Sequence, residues 1–269
     1  MERGRGRQHS LFLGDVAATA VRESPPGEVI AVGGTSAASL GAGASVAAEL
    51  AAGGRHGTEV IEYLYAQAVR DLGDVRFSRA YRLIKRALDA AVAGVGLLLL
   101  SPLLLLVALL IRLDSPGPSL FVQDRVGQHG RLFPMVKFRT MVHGSAVRLV
   151  GPHKRPDDDR VTRVGRVLRR TSLDELPQLL NVLAGQMSLV GPRPELPAIV
   201  LAHYAPWQYR RLLVPQGMTG WWQVTGRGAK LLYQHTADDI YYLAHAGLGF
   251  DLRILAWTAR AVFRRDGAF

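Results

Sequence analysis

An uncharged, apolar stretch from Ala90 to Ile111 constrains the fold of this chain more than any other feature of its sequence. As an α-helix, it is long enough to cross a hydrocarbon core of about 30 Å. Ser101-Pro102 stands in its middle, where proline removes a helix hydrogen bond and favours a kink. Both flanks are basic, and because basic residues favour the cytoplasmic side, neither end is marked as the outer one. The stretch predicts a membrane segment, either a kinked spanning helix or a re-entrant helix over about residues 86–112 that is broken at Ser101-Pro102.

The positive charge of the chain is unevenly distributed. The net charge is +11, and residues 77–269 carry 26 Lys and Arg against 13 Asp and Glu, whereas residues 1–76 are slightly acidic. A basic domain beside a membrane segment indicates anionic membrane lipids or a phosphorylated substrate as partners. Nucleic acid is the weaker alternative, because the basic residues never form a run. The chain has no cysteine, which excludes disulfides, zinc–thiolate sites and thiol nucleophiles.

Composition divides the chain into two parts. Residues 1–76 are rich in Ala, Gly and Ser over most of their length, and we expect a low-complexity, largely disordered tail and linker, with a short helix or linker at Thr58–Val75. Residues 77–269 are expected to form a membrane-associated domain with short strands at Leu120–Val122 and Phe133–Phe138 and an amphipathic helix at the carboxyl end. The predicted fold class is α/β or mostly α, compact, without a large sheet and with helices at the membrane interface.

Asp174-Glu175 is the strongest candidate for a catalytic pair. The leucines around it predict a helix that starts near Pro177, and Ser172 followed three residues later by Glu175 fits a capping box. On the structural interpretation, the two carboxylates only complement the helix dipole. On the functional one, Asp174 attacks a phosphate and forms an acyl phosphate. That reaction needs a divalent cation and cationic side chains, because an anion that attacks an anion is otherwise repelled.

Cationic side chains that could bind phosphate are present elsewhere in the chain. Arg193 is held between two prolines, which fixes its backbone for bidentate phosphate binding. Lys137 and Arg139 alternate on a predicted strand and should share one face, and Arg169 precedes the carboxylate pair. Each cation taken alone would also be explained as a solvated charge or a lipid contact. The three aspartates of residues 157–159 lack the spacing of a metal loop and are interpreted as a solvated loop.

Taken together and in order, these segments resemble a known family, the monotopic phosphoglycosyl transferases or bacterial sugar transferases. The resemblance spans about Tyr81 to Phe269. It is carried by Lys85-Arg86, Ser101-Pro102, Gly117-Pro118, Phe121–Gly127 (FVQDRVG), Val136–Met141 (VKFRTM), Arg163–Arg166, Thr171–Gln178 (TSLDELPQ), Met187–Pro194 (MSLVGPRP) and Gly217–Val224 (GMTGWWQV). The last of these motifs resembles the hexose-1-phosphate branch of the family.

The resemblance implies an enzyme of the inner (cytoplasmic) membrane whose catalytic domain faces the cytoplasm. Such an enzyme transfers a sugar-1-phosphate, here a hexose phosphate, from a UDP-sugar to undecaprenyl phosphate, releases UMP, and initiates exopolysaccharide or surface glycan synthesis. The resemblance also implies that the domain is monotopic, with a re-entrant helix broken at Ser101-Pro102. A non-catalytic basic scaffold of a polysaccharide assembly complex is the alternative, and a homo-oligomer is compatible with the sequence.

The same resemblance assigns roles to individual residues. It implies that Asp174 is the nucleophile of a covalent phosphosugar intermediate and that Glu175, together with Asp174, binds Mg²⁺. It also implies a group of phosphate-binding side chains, formed by Lys137, Arg139, Arg169 and Arg193.

Overall fold

The computed structural model describes residues 56–72, 77–145, 158–226 and 232–264. Its α-helices are α1 His56–Leu72, α2 Arg79–Asp114, α3 Arg163–Thr171, α4 Gln178–Leu183, α5 Pro197–His203, α6 Trp221–Gly226, α7 Ala237–His245 and α8 Leu248–Arg264. Its strands are β1 Leu120–Val126, β2 Leu132–Phe138, β3 Met187–Val190 and β4 Gln216–Thr219. This part of the chain is therefore mostly helical with small sheets, which confirms the predicted absence of a large sheet. The predicted tail up to residue 55 and the first of the three aspartates lie outside the described residues.

Helix α2 contains the apolar stretch and is the one helix among the described residues that is long and apolar enough to cross a membrane. It begins after Ser78, whose hydroxyl accepts a hydrogen bond from the Tyr81 amide at 3.1 Å. The helix continues through Ser101-Pro102, so the predicted break at this dipeptide stays a prediction. Pro102 has no N–H to donate to the carbonyl of Leu98, and the Ser101 hydroxyl donates to that carbonyl instead, at 2.8 Å.

Both halves of α2 pack against the same domain. In the first half, the buried Asp89 accepts hydrogen bonds from the Ser188 hydroxyl at 2.7 Å and the Leu189 amide at 3.1 Å. At the other end, Asp114 accepts a hydrogen bond from the Val164 amide at 2.9 Å. Two apolar clusters line the contact, one formed around Ala93, Leu179 and Val182, the other around Val107, Ile111, Phe138 and Leu168. The large leucines on the opposite side of the helix are exposed.

Four strands form two small sheets. β1 and β2 make an antiparallel hairpin in which Phe121 pairs with Lys137 and Arg125 pairs with Phe133. β3 and β4 are parallel, and Gly217 within β4 closely approaches Gly191, the residue that follows β3. A Cβ on Gly217 would lie 2.1 Å from the amide nitrogen of Gly191, so this close approach requires glycine. The contact fixes the chain just before the Pro192–Pro194 segment.

Helix α1 packs on the domain, although the sequence analysis placed its residues in a tail and linker. Ile61 and Ala68 recur at helical spacing and are almost completely buried, in a cluster with Val126, Tyr209 and Leu212. Residues 56–72 are thus part of the packed structure. The short helix predicted within Thr58–Val75 is therefore present, and the domain boundary at residue 76 stays a prediction.

Truncating Ile61 tests this packing. Ile61→Ala is expected to lower the free energy of unfolding by about 2–5 kcal/mol, because the side chain is fully buried and the change leaves a cavity. Thermal unfolding of the detergent-solubilised protein measures the effect. Tyr63→Ala, at a 58% exposed position of the same helix, is the matched control and should change stability by less than about 0.5 kcal/mol. Equal, small effects of the two variants would contradict the docking of α1.

Candidate functional site

Asp174 and Glu175 lie in a short 3₁₀ turn, Leu173–Glu175, between α3 and α4. Ser172 reverses the chain at the end of α3 with a left-handed φ of 57°. Its side chain does not cap the following turn, so the predicted capping box is wrong. The physical reason is that the left-handed residue ends α3 and starts a tighter turn, and α4 begins only after Pro177. The carboxylate pair therefore precedes the helix and does not form its first turn.

Glu175 joins two cations from different parts of the chain. Its Oε1 lies 3.1 Å from Nζ of Lys137, at the end of β2, and 3.0 Å from Nη2 of Arg193, in the loop after β3. All three side chains are largely buried. Buried charges of this kind are stable only when they are paired. Glu175 thus holds an ammonium and a guanidinium group beside its neighbour, Asp174.

The environment of Asp174 is unfavourable for its negative charge. Burial raises the pKa of its carboxyl group, the adjacent Glu175 raises it further, and the cations Lys137, Arg169 and Arg193 oppose both effects. Burial lowers the pKa of Lys137, against the attraction of Glu175. The nearby Glu175 raises the pKa of Arg193. Asp174 is therefore a desolvated carboxyl group surrounded by fixed positive charges, which is typical of a functional site.

Arg169 borders this cluster from the last turn of α3. Its Nε donates a hydrogen bond to Oγ1 of Thr140 at 3.0 Å. Burial lowers the pKa of its guanidinium group, while the nearby carboxylate of Asp174 raises it. The structure thus brings Lys137, Arg169 and Arg193 together around Asp174-Glu175, as the sequence motifs indicated.

Arg139 lies elsewhere. It follows the last residue of β2, is buried, and donates hydrogen bonds to the carbonyl oxygens of Pro116 and Ser115, the latter at 2.7 Å. These carbonyls end helix α2, where a cation is favourable. Gly117, at φ +112°, leaves room for the guanidinium group, because a Cβ there would lie 2.3 Å from Nη1 of Arg139. The structure therefore does not bring Arg139 into the phosphate-binding group; it caps the apolar helix.

Arg125 belongs to the cluster, although sequence reasoning did not assign it. Its Nη1 lies 3.6 Å from Oε1 of Glu195. Burial and the nearby Arg193 lower the pKa of Arg125 to about 10, while Glu195 and Glu175 oppose this shift, so Arg125 stays protonated at neutral pH. The hairpin register places Arg125 and Lys137 on the same face, since Phe121 pairs with Lys137 and lies four residues before Arg125. Knowledge of that register would have identified it.

A second functional residue that the sequence analysis missed is Arg211. It is completely buried and forms an ion pair with Asp239, with Nη2 2.7 Å from Oδ2. The same guanidinium group donates hydrogen bonds to the Arg193 carbonyl oxygen and to the Tyr204 hydroxyl. Arg211 therefore fixes the backbone that presents Arg193 to Glu175. No local pattern marks this role, because the two residues lie in different motifs.

Asp174 and Glu175 are the acidic side chains of this site that could hold a divalent cation. The described residues contain no cluster of three or more His, Cys, Asp and Glu side chains that could hold a metal by themselves. Mg²⁺ is, however, usually bound by one or two carboxylates together with phosphate oxygens. The raised pKa of Asp174 indicates that a further cation would stabilise its ionised form. Asp174 and Glu175 are the donors that fit.

Comparison with known proteins identifies the family. The model of the family described as "Bacterial sugar transferase" matches residues 80–265. The UDP-glucose:undecaprenyl-phosphate glucose-1-phosphate transferase of Caulobacter vibrioides is 46% identical over 200 residues, 71% of this chain and 73% of that protein. The undecaprenyl-phosphate galactose phosphotransferase of Salmonella typhimurium is 40% identical over 205 residues, 71% of this chain and 43% of that protein.

A third relative is a UDP-N-acetylgalactosamine-undecaprenyl-phosphate N-acetylgalactosaminephosphotransferase of Aeromonas hydrophila, 41% identical over 206 residues. This match covers 73% of the chain and 48% of the relative, so the chain spans less than half the length of the Aeromonas and Salmonella proteins. The family match includes α2, the hairpin, the Asp174-Glu175 turn and the Arg193 loop. The chain therefore belongs to the bacterial sugar transferase family.

Proposed function

We propose that this protein transfers a sugar-1-phosphate from a UDP-sugar to undecaprenyl phosphate, releases UMP, and so initiates the synthesis of an exopolysaccharide or another surface glycan. The observation that carries the proposal is the partly buried Asp174 beside Glu175, with Lys137 and Arg193 held on the same Glu175 oxygen. This arrangement places the carboxylate of Asp174, which can form a bond to phosphorus, among positively charged side chains. The names of the relatives describe transfer of a phosphosugar to the same lipid phosphate.

The first step is attack by Asp174. One carboxylate oxygen forms a bond to the phosphorus that carries the sugar, and the bond from that phosphorus to the oxygen of UMP breaks. UMP leaves with the electron pair of the broken bond, and the sugar phosphate stays on Asp174 as an acyl phosphate. Arg193, Lys137 and Arg169 stabilise the charge that spreads over the phosphate oxygens.

The second step regenerates the enzyme. A phosphate oxygen of undecaprenyl phosphate attacks the same phosphorus, and the bond to the Asp174 carboxylate breaks. The products are the free carboxylate and undecaprenyl diphosphate-linked sugar. Asp174 and Glu175 would hold Mg²⁺ together with the substrate phosphates, and the bound ion would reduce the repulsion between the carboxylate and the phosphate. Arg125 and Arg211 support this step indirectly, through Glu195 and the Arg193 backbone.

The membrane arrangement that fits this function is a re-entrant α2 in the inner membrane, with the domain on the cytoplasmic face. Asp89 and Asp114 both bond to the domain, and they are separated by about 37 Å of helix if α2 is straight. A helix perpendicular to the bilayer would carry one of these residues to the other face. A re-entrant helix keeps both ends beside the domain and brings the lipid phosphate and the soluble donor to one face.

The sugar is proposed to be a hexose, by the likeness of the Gly217–Val224 motif to the hexose branch. The relatives named above use glucose, galactose and N-acetylgalactosamine at similar identities. The overall sequence identity therefore does not distinguish between these sugars. The UDP-sugar donor has to be identified by a direct assay.

Release of UMP is the measurement that tests the proposal. Detergent-solubilised protein with UDP-glucose, UDP-galactose or UDP-N-acetylgalactosamine, undecaprenyl phosphate and Mg²⁺ is expected to release UMP and form a lipid-linked sugar. Omitting the lipid should limit UMP to at most one equivalent per enzyme, and EDTA should suppress turnover. Absence of UMP with all three donors would favour the alternative, a non-catalytic scaffold.

The acid limb of the pH–rate profile follows from the pKa of Asp174. Attack requires the ionised carboxylate, and burial raises its pKa above the usual 3.8. The ionised fraction, and the rate with it, is therefore expected to fall as the pH decreases through a midpoint above 3.8. Undecaprenyl phosphate has its own ionisation, so the profile is measured on the initial release of UMP without the lipid. Glu175→Gln should lower the pH of the midpoint, because it removes a neighbouring negative charge. In the unmodified protein, a midpoint below the pKa of free aspartate would contradict the assignment of the acid limb to Asp174.

A further inference from the structure

Gln178 has a buried hydrogen-bond donor without a partner. The residue is only 3% exposed, and its side-chain Nε2 makes no hydrogen bond within the described residues. A buried donor without a partner loses its hydrogen bonds to water and forms no hydrogen bond within the protein to replace them. Buried polar groups are nearly always paired, so an exception beside a catalytic pair needs an explanation.

The backbone places Gln178 one 3₁₀ turn after Glu175, the residue next to Asp174. The chain is right-handed from the Leu173–Glu175 turn through Leu176 (φ −56°, ψ −36°) and Pro177 (φ −60°, ψ −17°) into α4. The amides of Leu176, Leu179 and Leu180 bond to the carbonyl oxygen three residues earlier, as in a 3₁₀ helix, in which residues three apart lie on one face. Glu175, Gln178 and Asn181 therefore share a face.

This face is directed towards strand β2. Asn181 accepts a hydrogen bond from the Val136 amide at 3.0 Å and donates one to the Pro134 carbonyl oxygen at 2.8 Å. The residue after Val136 is Lys137, whose ammonium group contacts Glu175. Gln178 thus lies on the same face between Glu175, which contacts Lys137, and Asn181, which contacts the backbone of β2.

We propose that Nε2 of Gln178 donates a hydrogen bond to a non-bridging oxygen of the phosphate while it moves to and from Asp174. The inference rests on the proposed function, since it names a further contact of the same site. The cations around Asp174 supply charge, whereas a neutral carboxamide supplies one directed bond without adding charge. Gln178 keeps its protons throughout, and the bonds made and broken are those at phosphorus.

Gln178→Met tests the proposal, because methionine is similar in length and has no donor. The substitution removes a donor that is unpaired in the free protein, so the midpoint of thermal unfolding should stay the same or rise. The kcat of UMP release should fall by about 10²–10³-fold, as it does when one donor to a developing oxyanion is lost. The KM for the UDP-sugar should change little, because the bond forms chiefly in the transition state. A variant that is both less stable and less active would overturn the proposal in favour of a structural role.

Gln216→Met is the matched control at a second buried glutamine. Nε2 of Gln216 donates to the carbonyl oxygens of Arg211 at 3.2 Å and Val214 at 3.1 Å. Its loss removes both of these buried hydrogen bonds, so the unfolding midpoint of this variant should fall. Gln178→Glu keeps the size of the side chain but adds a negative charge, and its kcat should fall further than that of Gln178→Met.

The outcomes separate the two proposals. If the unmodified protein releases no UMP from any donor, the proposed function fails and the contact fails with it. If the unmodified protein turns over and Gln178→Met or Gln178→Glu is equally active, the role of Gln178 alone is overturned.

Discussion

Replacing Asp174 with asparagine is expected to reduce sugar-phosphate transfer by at least about 10⁴-fold, the loss typical of removing a residue from the covalent machinery. Asparagine has nearly the same shape, but its amide is neutral and cannot form the acyl phosphate. The fold should survive, because burial and Glu175 already disfavour the charge of this carboxyl group. A neutral side chain there is therefore expected to leave the unfolding midpoint unchanged or to raise it.

Two measurements make this prediction specific. Transfer to undecaprenyl phosphate is followed by UMP release, and the covalent phosphosugar is sought by intact mass after incubation with the donor alone. The unmodified protein should gain the mass of one sugar phosphate, and Asp174→Asn should gain none. Asp159→Asn makes the same chemical change at an exposed aspartate and should remain active. Transfer by Asp174→Asn above about one hundredth of the normal rate would exclude Asp174 as the nucleophile.

Local sequence patterns predicted the parts of this structure that depend on neighbours along the chain. The uncharged run predicted helix α2, and the short apolar segment Phe133–Phe138 predicted β2 where the structure has it. The carboxylate pair was identified because acidic residues at a turn, followed by a leucine-rich helix, are visible within a few residues. Lys137, Arg169 and Arg193 were assigned by motif, and the structure brings all three to Asp174.

Contacts between distant segments account for what was missed. Arg139 looked like a partner of Lys137, but the carbonyls at the end of α2, more than twenty residues earlier, bind its guanidinium group. Arg125 reaches the cluster only through the hairpin register. The capping box failed because the left-handed Ser172 separates the two segments that the pattern joined. In each case a tertiary contact or one backbone angle decided the outcome, and neither is encoded in local spacing.

Removing Arg211 is the second change with a large expected effect. Arg211→Met is expected to lower the free energy of unfolding by about 3–5 kcal/mol, because it leaves the carboxylate of Asp239 buried without a counter-charge. Burial raises the pKa of Asp239, and the guanidinium group of Arg211 opposes that shift. Unfolding is measured in detergent. Arg131→Met is the matched control, since the Arg131–Glu62 pair is exposed and its loss should cost less than about 1 kcal/mol.

A double variant separates the structural role of Arg211 from its effect on the site. Arg211→Met combined with Asp239→Leu removes both buried charges, and replacing a buried ion pair by apolar groups is often neutral or stabilising. We therefore expect the double variant to regain most of the lost stability. Transfer should stay reduced by about 10–100-fold, because the Arg193 carbonyl still lacks the donor that fixes its loop, and small displacements of a phosphate-binding group are costly. If the double variant recovers stability and full transfer together, Arg211 serves only the fold; if stability returns without transfer, the buried ion pair holds Arg193 in its working position.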